Sequence, residues 1–331
     1  MHLLRKGMKT GLVMALLAAC LTAGAAAQDS VGDVSVLVVR MTWGPRPDNT
    51  AALQRAAPFF ERASFGRLRL QLDITPWLDV DGEATCPVDI EAAGVAARSA
   101  GYDPDAYAHV IEVVPSDACG SFVRELGRSF GLSDVPGDPF SPMGKGTLDF
   151  SSFEKRQLGW ISKVQRVGRS RKYAVADIDR PGTSPQALVV STRAGEYWIE
   201  HRSDEPRRLI VRLLPPQGTR TVFIAAPNDH FVVAKIFSVT CGFRFTWLDR
   251  TRPTQPHLHG LDETVLWWTP SKDRGSGVAT YRVAVDGKEL ATTTEARVEL
   301  PDIHGVHRFA VVALDFAGNR SRPGTLLLHI D

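Results

Sequence analysis

The chain predicts an α/β domain followed by an all-β region and a β-sandwich module, and three observations carry that order. Between residue 34 and about residue 130, β-branched apolar runs alternate with segments of helical spacing, the pattern of an α/β layer. After Trp160 the segments become short and alternating, and they are broken by Pro181-Gly182, Pro215-Pro216 and Pro227-Asn228. The last ~80 residues hold a tryptophan strand, a hairpin with an Asp-Gly turn and a late apolar strand, a set that suits a sandwich of that size.

Val34–Arg40 is a near-continuous β-branched run, suited to a strand buried on both faces. Leu53, Ala56, Ala57 and Phe60 place a helix over Thr50–Arg62, with Asn49 or Thr50 as its N-cap. Ser64-Phe65-Gly66 predicts a turn into Leu68–Ile74, whose strict alternation is that of a half-exposed strand. Ile90–Ser99 reads as an alanine-rich helix, and Ala108–Val114 as a core strand ended by Pro115. Leu209–Leu214 and Phe231–Phe237 are the clearest strands of the second region. Asp249–Pro253 reads as a linker into the third, where Trp267 is expected in the core. The boundaries that follow are 28–162, 163–248 and 249–331, after an N-terminal leader of 1–27.

The leader carries Arg5, Lys6 and Lys9, then the apolar run Gly11–Ala19, then small residues through Ala27. That order is a secretory signal with Ala25-Ala26-Ala27 as cleavage site. Leu17-Ala18-Ala19-Cys20 offers the alternative of a lipobox, with Cys20 lipidated. Both place the protein outside the cytoplasm, either secreted or periplasmic, with a membrane tie only through Cys20. A net charge of +2 without basic-aromatic interleaving argues against nucleic-acid binding. Export permits disulfides, and Cys86 and Cys119 are the candidate bridge. It would close a loop of about 33 residues and contribute about 3–4 kcal/mol. The alternative is two separate buried thiols, and Cys241 reads as a buried thiol in either case.

Arg124-Glu125-Leu126-Gly127-Arg128-Ser129-Phe130-Gly131-Leu132-Ser133-Asp134 resembles the H-E-x-x-H-x-x-G-x-x-H zinc helix of metzincin peptidases, with every histidine replaced. Other segments are similar, in order, to the gametolysin-like branch of that family. They are Ala63–Leu68, Thr75-Pro76-Trp77-Leu78, Ala100-Gly101-Tyr102 with Tyr107–Val110, Cys119-Gly120, Gly137–Gly144, Gln157-Leu158-Gly159-Trp160 and Glu196–Arg202. The resemblance spans roughly residues 34 to 205 and implies a metzincin-like fold, with Met143 at the Met-turn. Further along, Leu266-Trp267-Trp268, Asp273–Val278, Tyr281–Gly287 and Phe309–Asp315 with Ala317-Gly318-Asn319 resemble the fibronectin type III-like modules of secreted bacterial proteins.

By that resemblance Glu125 holds the general-base position, and Arg124, Arg128 and Asp134 hold the three zinc-ligand positions. A guanidinium is permanently charged and has no lone pair for a metal. No other histidine has helical H-x-x-x-H spacing, and two arginines oppose any cation that Asp134 and Asp138 could attract. No cofactor is therefore expected; zinc would be present only if the family's activity survived. The resulting expectation is an exported, catalytically inactive pseudo-peptidase that binds a peptide, a carboxylate-bearing ligand or a cell-envelope partner. Two other readings stand beside it: an active secreted zinc metalloendopeptidase with atypical ligands, and a structural or adhesion component. Asp134 is expected to bridge Arg124 or Arg128 in place of the metal, with Glu125 or Asp138 pairing the remaining arginine. The alternative is that both arginines point into solvent.

Overall fold

In the computed structural model the described residues are 30–80, 90–115, 121–146, 148–203, 209–217, 221–224, 230–233, 235–240, 242–262 and 264–330. The leader and all four cysteines, Cys20, Cys86, Cys119 and Cys241, lie outside them, so the signal, lipobox and disulfide expectations do too. The chain divides into two compact units. One comprises Met1–Arg62, Gly66–Leu132 and Gln157–Gly159; the other comprises Ala63–Phe65, Ser133–Arg156 and Trp160–Asp331. Among the described residues β-strand outweighs helix, and no helix among them is long and apolar enough to cross a membrane.

The first unit is a three-stranded parallel sheet with helices packed on it. β1 (Gly32–Thr42) lies at its centre between β2 (Leu68–Asp79) and β3 (His109–Val113). Val36, Leu37, Val38 and Val39 are all completely buried, as a run with no polar alternation requires. One face of β1, through Leu37, Val39 and Met41, packs on Ala93 and Ala97 of the helix Ile90–Ser99. The small side chains of those alanines let the helix backbone approach the sheet.

The helix expected over Thr50–Arg62 is split into α1 (Thr50–Gln54) and α2 (Ala56–Ala63), and Asn49 makes no side-chain cap. Its Oδ1 instead accepts a hydrogen bond from Arg40 Nη1 at 3.4 Å. The helix Ile90–Ser99 is therefore α3. The turn before β2 is as expected, with Phe65 and Gly66 at φ of 59° and 75°. β2 runs further than its alternation suggests, through Thr75-Pro76-Trp77. Pro76 has no N–H to give, and the register between β1 and β2 shifts opposite it. Arg40 fills the gap: its backbone N and its Nε donate to Thr75 Oγ1 (3.0 Å) and Thr75 O (2.6 Å).

In the second unit α5 (Ser152–Gln157) precedes a five-stranded sheet. Its strands are β4 (Gln165–Arg166), β6 (Leu188–Thr192), β7 (Gly195–Glu200), β8 (Ile210–Leu214) and β9 (Thr221–Ile224), adjacent in that order. A four-stranded antiparallel sheet combines β5 (Arg171–Lys172), β10 (His230–Val233), β11 (Phe237–Thr240) and β12 (Arg244–Trp247). The two sheets share one core, in which Leu188, Val190, Ile199 and Val211 meet Phe237, Val239, Phe245 and Trp247. The other face of the five-stranded sheet is covered by α5, where Phe153 sits edge-on to Trp198.

The run Phe231–Phe237, read as one strand, is a hairpin. β10 and β11 pair antiparallel with Val233 opposite Phe237, and Lys235 turns the chain at φ 58°. The reversal is hidden in the sequence because the turn is made by Lys235 in the left-handed region rather than by Gly or Pro.

The C-terminal part is a sandwich of three strands on four. β13 (His257–Asp262), β14 (Val265–Thr269) and β17 (Arg297–Glu299) form one sheet. β15 (Val278–Val285), β16 (Lys288–Thr293), β18 (Gly305–Asp315) and β19 (Gly324–Ile330) form the other. Leu266, Trp268, Tyr281, Val283, Phe309 and Val311 fill the space between. Trp267 does not belong to that core: it is 43% exposed, while Trp268 is 1% exposed. Strand alternation allows only one of two consecutive tryptophans to face inward. Nor is Asp249–Pro253 a loose linker, since Asp249 is 3% exposed and held by backbone N–H groups of Thr251 and Ser276.

Candidate functional site

The residues read as a degenerate zinc helix form α4 (Phe122–Ser129) in the first unit. Ser121 caps it, accepting the Arg124 N–H at 3.3 Å. Leu126 and Gly127 are buried, and α4 packs on β3. At the other end Gly131, at φ 85°, closes the helix in a Schellman motif. Leu132 N donates to Gly127 O and Gly131 N to Arg128 O, at 3.0 and 2.8 Å. Phe130 is thereby buried edge-on to both Phe60 and His109. The turn glycine thus sits at a turn that only a residue tolerant of positive φ makes cheaply.

On the outward face, Arg128 Nη1 donates to both Glu125 oxygens, at 2.7 and 2.9 Å. The side chains are 39% and 26% exposed, so this is a half-solvated ion pair across one helical turn. Such a pair contributes about 0.3–0.5 kcal/mol. A pairing of Glu125 with an α4 arginine, one of the expected partnerships, is present. Arg124 is half-buried on the same helix. Zinc does not fit these side chains. Two of the three expected ligands are guanidinium groups, and the carboxylate beside them already accepts two charge-assisted hydrogen bonds from one of those guanidiniums.

Asp134 and Met143 belong to the second unit, where Asp134 is half-buried and Met143 fully buried. Met143 lies in a tight turn, its N–H donating to Ser141 Oγ at 3.1 Å and its carbonyl accepting Val135 N at 2.9 Å. Asp138, expected as a partner for an α4 arginine or as a weak cation ligand, is engaged elsewhere. It is completely buried against Arg212, whose Nε donates to Asp138 Oδ2 at 2.7 Å.

Arg212 is the centre of a buried charged network that the sequence reading did not single out. Its Nη1 donates to Glu200 Oε1 at 2.5 Å, and neither side chain is exposed. Glu200 Oε2 accepts from Ser152 N and Oγ, at 2.8 and 2.6 Å, fixing the start of α5. Glu154 Oε2 accepts from Ser141 Oγ at 2.8 Å and Ser151 N at 2.7 Å, tying α5 to the Met143 turn. Burial opposes the charge on Arg212, but Glu200 and Asp138 more than offset it and hold its pKa above the ordinary arginine value.

Beside this network Lys155, fully buried, pairs with Asp149 at 2.5 Å and donates to Ile178 O at 3.3 Å. Burial pushes the Asp149 carboxyl up and the Lys155 ammonium down from their ordinary values. A signal for the network was present in Ile210-Val211-Arg212-Leu213-Leu214: an arginine inside an apolar strand needs a buried partner. Arg212, Asp138 and Glu200 are fully buried and hydrogen-bonded to one another, so they organise the turn and the sheet.

No protein-family profile matches the chain, and no curated protein does. Solved structures with local similarity include the chitinase ChiA74 from Bacillus thuringiensis, at 25% identity over 27% of this chain and 15% of that one, TM-score 0.23. The fibronectin(III)-like modules of Clostridium thermocellum CbhA match at 16% identity over 38% of this chain and 61% of theirs, TM-score 0.24. The Clostridium perfringens spore cortex lytic enzyme SleM matches at 12% identity over 88% of this chain and 79% of its own, TM-score 0.21. The chain thus spans less than two thirds of the first two, and at these scores none establishes a shared overall fold. The gametolysin-like resemblance accordingly rests on the chain's own residues.

Proposed function

We propose that this chain is an exported, non-catalytic relative of metzincin peptidases, a pseudo-peptidase that works by binding, with a fibronectin type III-like module at its C-terminus. The observation that carries the reading is the Arg128–Glu125 pair on α4. A peptidase glutamate must be free to take a proton from a metal-bound water. Here both oxygens of the equivalent carboxylate accept hydrogen bonds from a residue standing where a ligand histidine would be. The ordered β1–β3 sheet, the Gly131 turn and the buried Met143 turn support descent from that scaffold.

The ligand best matched to α4 is a carboxylate-bearing peptide or envelope polymer, recognised by Arg124 and Arg128 through charge-assisted hydrogen bonds. The test has two arms. Purified mature protein incubated with zinc is expected to retain no stoichiometric metal and to show no chelator-sensitive casein cleavage. A fluorescent peptide with a free C-terminal carboxylate is expected to bind more tightly than its amide, and Arg124→Ala/Arg128→Ala is expected to abolish the difference. Stoichiometric zinc with chelator-sensitive cleavage would replace this reading with that of an active metalloendopeptidase. Equal binding of acid and amide would leave only a structural or adhesion role.

A further inference from the structure

Three carboxylates from separate parts of the chain converge in the second unit. Asp249 follows β12, Asp273 lies in the loop between β14 and β15, and Asp315 ends β18. Each presents an oxygen within 4.8 Å of the others. Asp249 and Asp315 are both only 3% exposed. Asp273 Oδ1 is sealed from solvent and has no hydrogen-bond partner among the described residues. A buried carboxylate oxygen left without a donor is costly, and two further anions beside it increase the cost.

The groups that do bond these carboxylates are neutral. Thr251 N and Ser276 N donate to the two oxygens of Asp249, at 2.8 and 2.6 Å. Gly277 N donates to Asp273 Oδ2 at 2.7 Å. Asn319 donates to Asp315 through N to Oδ1 and through Nδ2 to Oδ2, at 2.7 and 2.8 Å. Backbone N–H groups aim and fix the three side chains but bring no positive charge to balance them. Gly275 leans so close over the Asp249 carboxylate that any side chain there would collide with it.

We propose that Asp249, Asp273 and Asp315 form a calcium-type divalent cation site. The donor set is all oxygen and all carboxylate, which suits a hard cation and excludes the imidazole and thiolate preference of zinc. Calcium takes six to eight oxygens in flexible geometry, so water and nearby carbonyls complete a shell that magnesium's strict octahedron would not accept. The place of the site assigns its role. Asp249 leads directly out of β12, whose Phe245 and Trp247 belong to the core between the two preceding sheets. Phe316 and Ala317, next to Asp315, pack against that same core. Asn319 Nδ2 also donates to Asp249 O at 3.3 Å, and Arg193 N to Ser276 O at 2.7 Å. The cation therefore fastens the C-terminal sandwich to the β region before it and fixes their angle.

The test uses the full mature chain, stripped with EDTA and dialysed, and reads thermal unfolding and calorimetric titration with CaCl2 or MgCl2. With a Kd of about 10⁻⁴–10⁻³ M, 5 mM calcium is expected to raise Tm by about 2–8 °C, and magnesium by much less. Asp273→Asn keeps the shape and removes one charge. In EDTA it is expected to be at least as stable as the wild type, because a repulsion is relieved, and to lose the calcium shift. Asp315→Asn is expected to behave the same way. Absence of a calcium-dependent shift and heat would overturn the proposal, as would an equal shift in Asp273→Asn. An equal response to magnesium would overturn the calcium assignment. A Tm that falls as pH rises through the carboxylate range and ignores calcium would mean that a shared proton, not a metal, resolves the repulsion.

Discussion

Two arginines of this chain each hold a carboxylate, and their surroundings give the two pairs different jobs. Arg128 and Glu125 meet on a half-solvated helix face, where water screens both charges and either side chain can let go. Arg212 holds Asp138 and Glu200 where none of the three is exposed, so no solvent is available to any partner left behind. The first pair is an ion pair across one turn of an exposed helix face. The second sets where a turn and a helix sit, because Asp138 also accepts Phe140 N and Glu200 also accepts Ser152 N. An electrostatic replacement for a structural metal was expected at α4. A buried cross-link of that kind is made by the strand arginine behind the Met143 turn.

Breaking the buried pair is expected to have the largest effect. Arg212→Ala leaves two carboxylates buried without a counter-charge and should cost about 3–5 kcal/mol, measured by urea denaturation. A cost under about 1 kcal/mol would mean that water reaches the site. The comparison is sharpened by removing all three charges together. Asp138→Asn/Glu200→Gln/Arg212→Met keeps acceptors for Phe140 N and Ser152 N while deleting the ions. That variant should recover most of the loss and fall within about 1–2 kcal/mol of the wild type. Recovery would show that the network is expensive to break without being a large net source of stability.

How much of this was legible follows from where each signal is local. The β1 run, the α3 helix, the Ser64-Phe65-Gly66 turn and the Gly131 turn were readable because period and turn chemistry are properties of neighbouring residues. The hairpin at Lys235 was not, since no Gly or Pro marks it. Trp267 and Trp268 could not be told apart by composition; only the strand's phase decides which faces the core. The Arg128–Glu125 pair was within reach because i,i+3 spacing is visible in sequence. Arg212 with Asp138 spans 74 positions, and the Asp249, Asp273 and Asp315 cluster draws on two loops and a strand end. Convergence over such separations is created by the fold and leaves no local pattern.

At α4 the expected effects are small. Arg128→Ala should cost about 0.3–0.5 kcal/mol, and the loss should shrink in high salt because the pair lies within reach of mobile ions. A loss of 2 kcal/mol or more would place this pair in the same class as the buried one and end the contrast.

The smallest effect is a pH dependence that only an exposed pair can show. His307 Nδ1 lies 2.7 Å from Asp286 Oδ2, at the end of the β15–β16 hairpin, and its Nε2 lies 2.9 Å from His304 O. The Asp286 hydrogen bond, followed by that to His304, raises the His307 pKa above its ordinary value. Bonds from Arg308 N and His307 hold Asp286 below its own, so it stays charged throughout the histidine's range. A histidine whose folded pKa is raised stabilises the protein fully below its unfolded value of about 6.5, and the contribution fades as pH rises through the folded value. His307→Gln should therefore lower Tm at pH 5.5 and have a diminishing effect towards pH 8.5, with the His307 NMR titration midpoint above 6.5. Arg212 is held above an already high pKa and keeps its charge across the same range, so it adds no pH dependence of its own to the wild-type protein there.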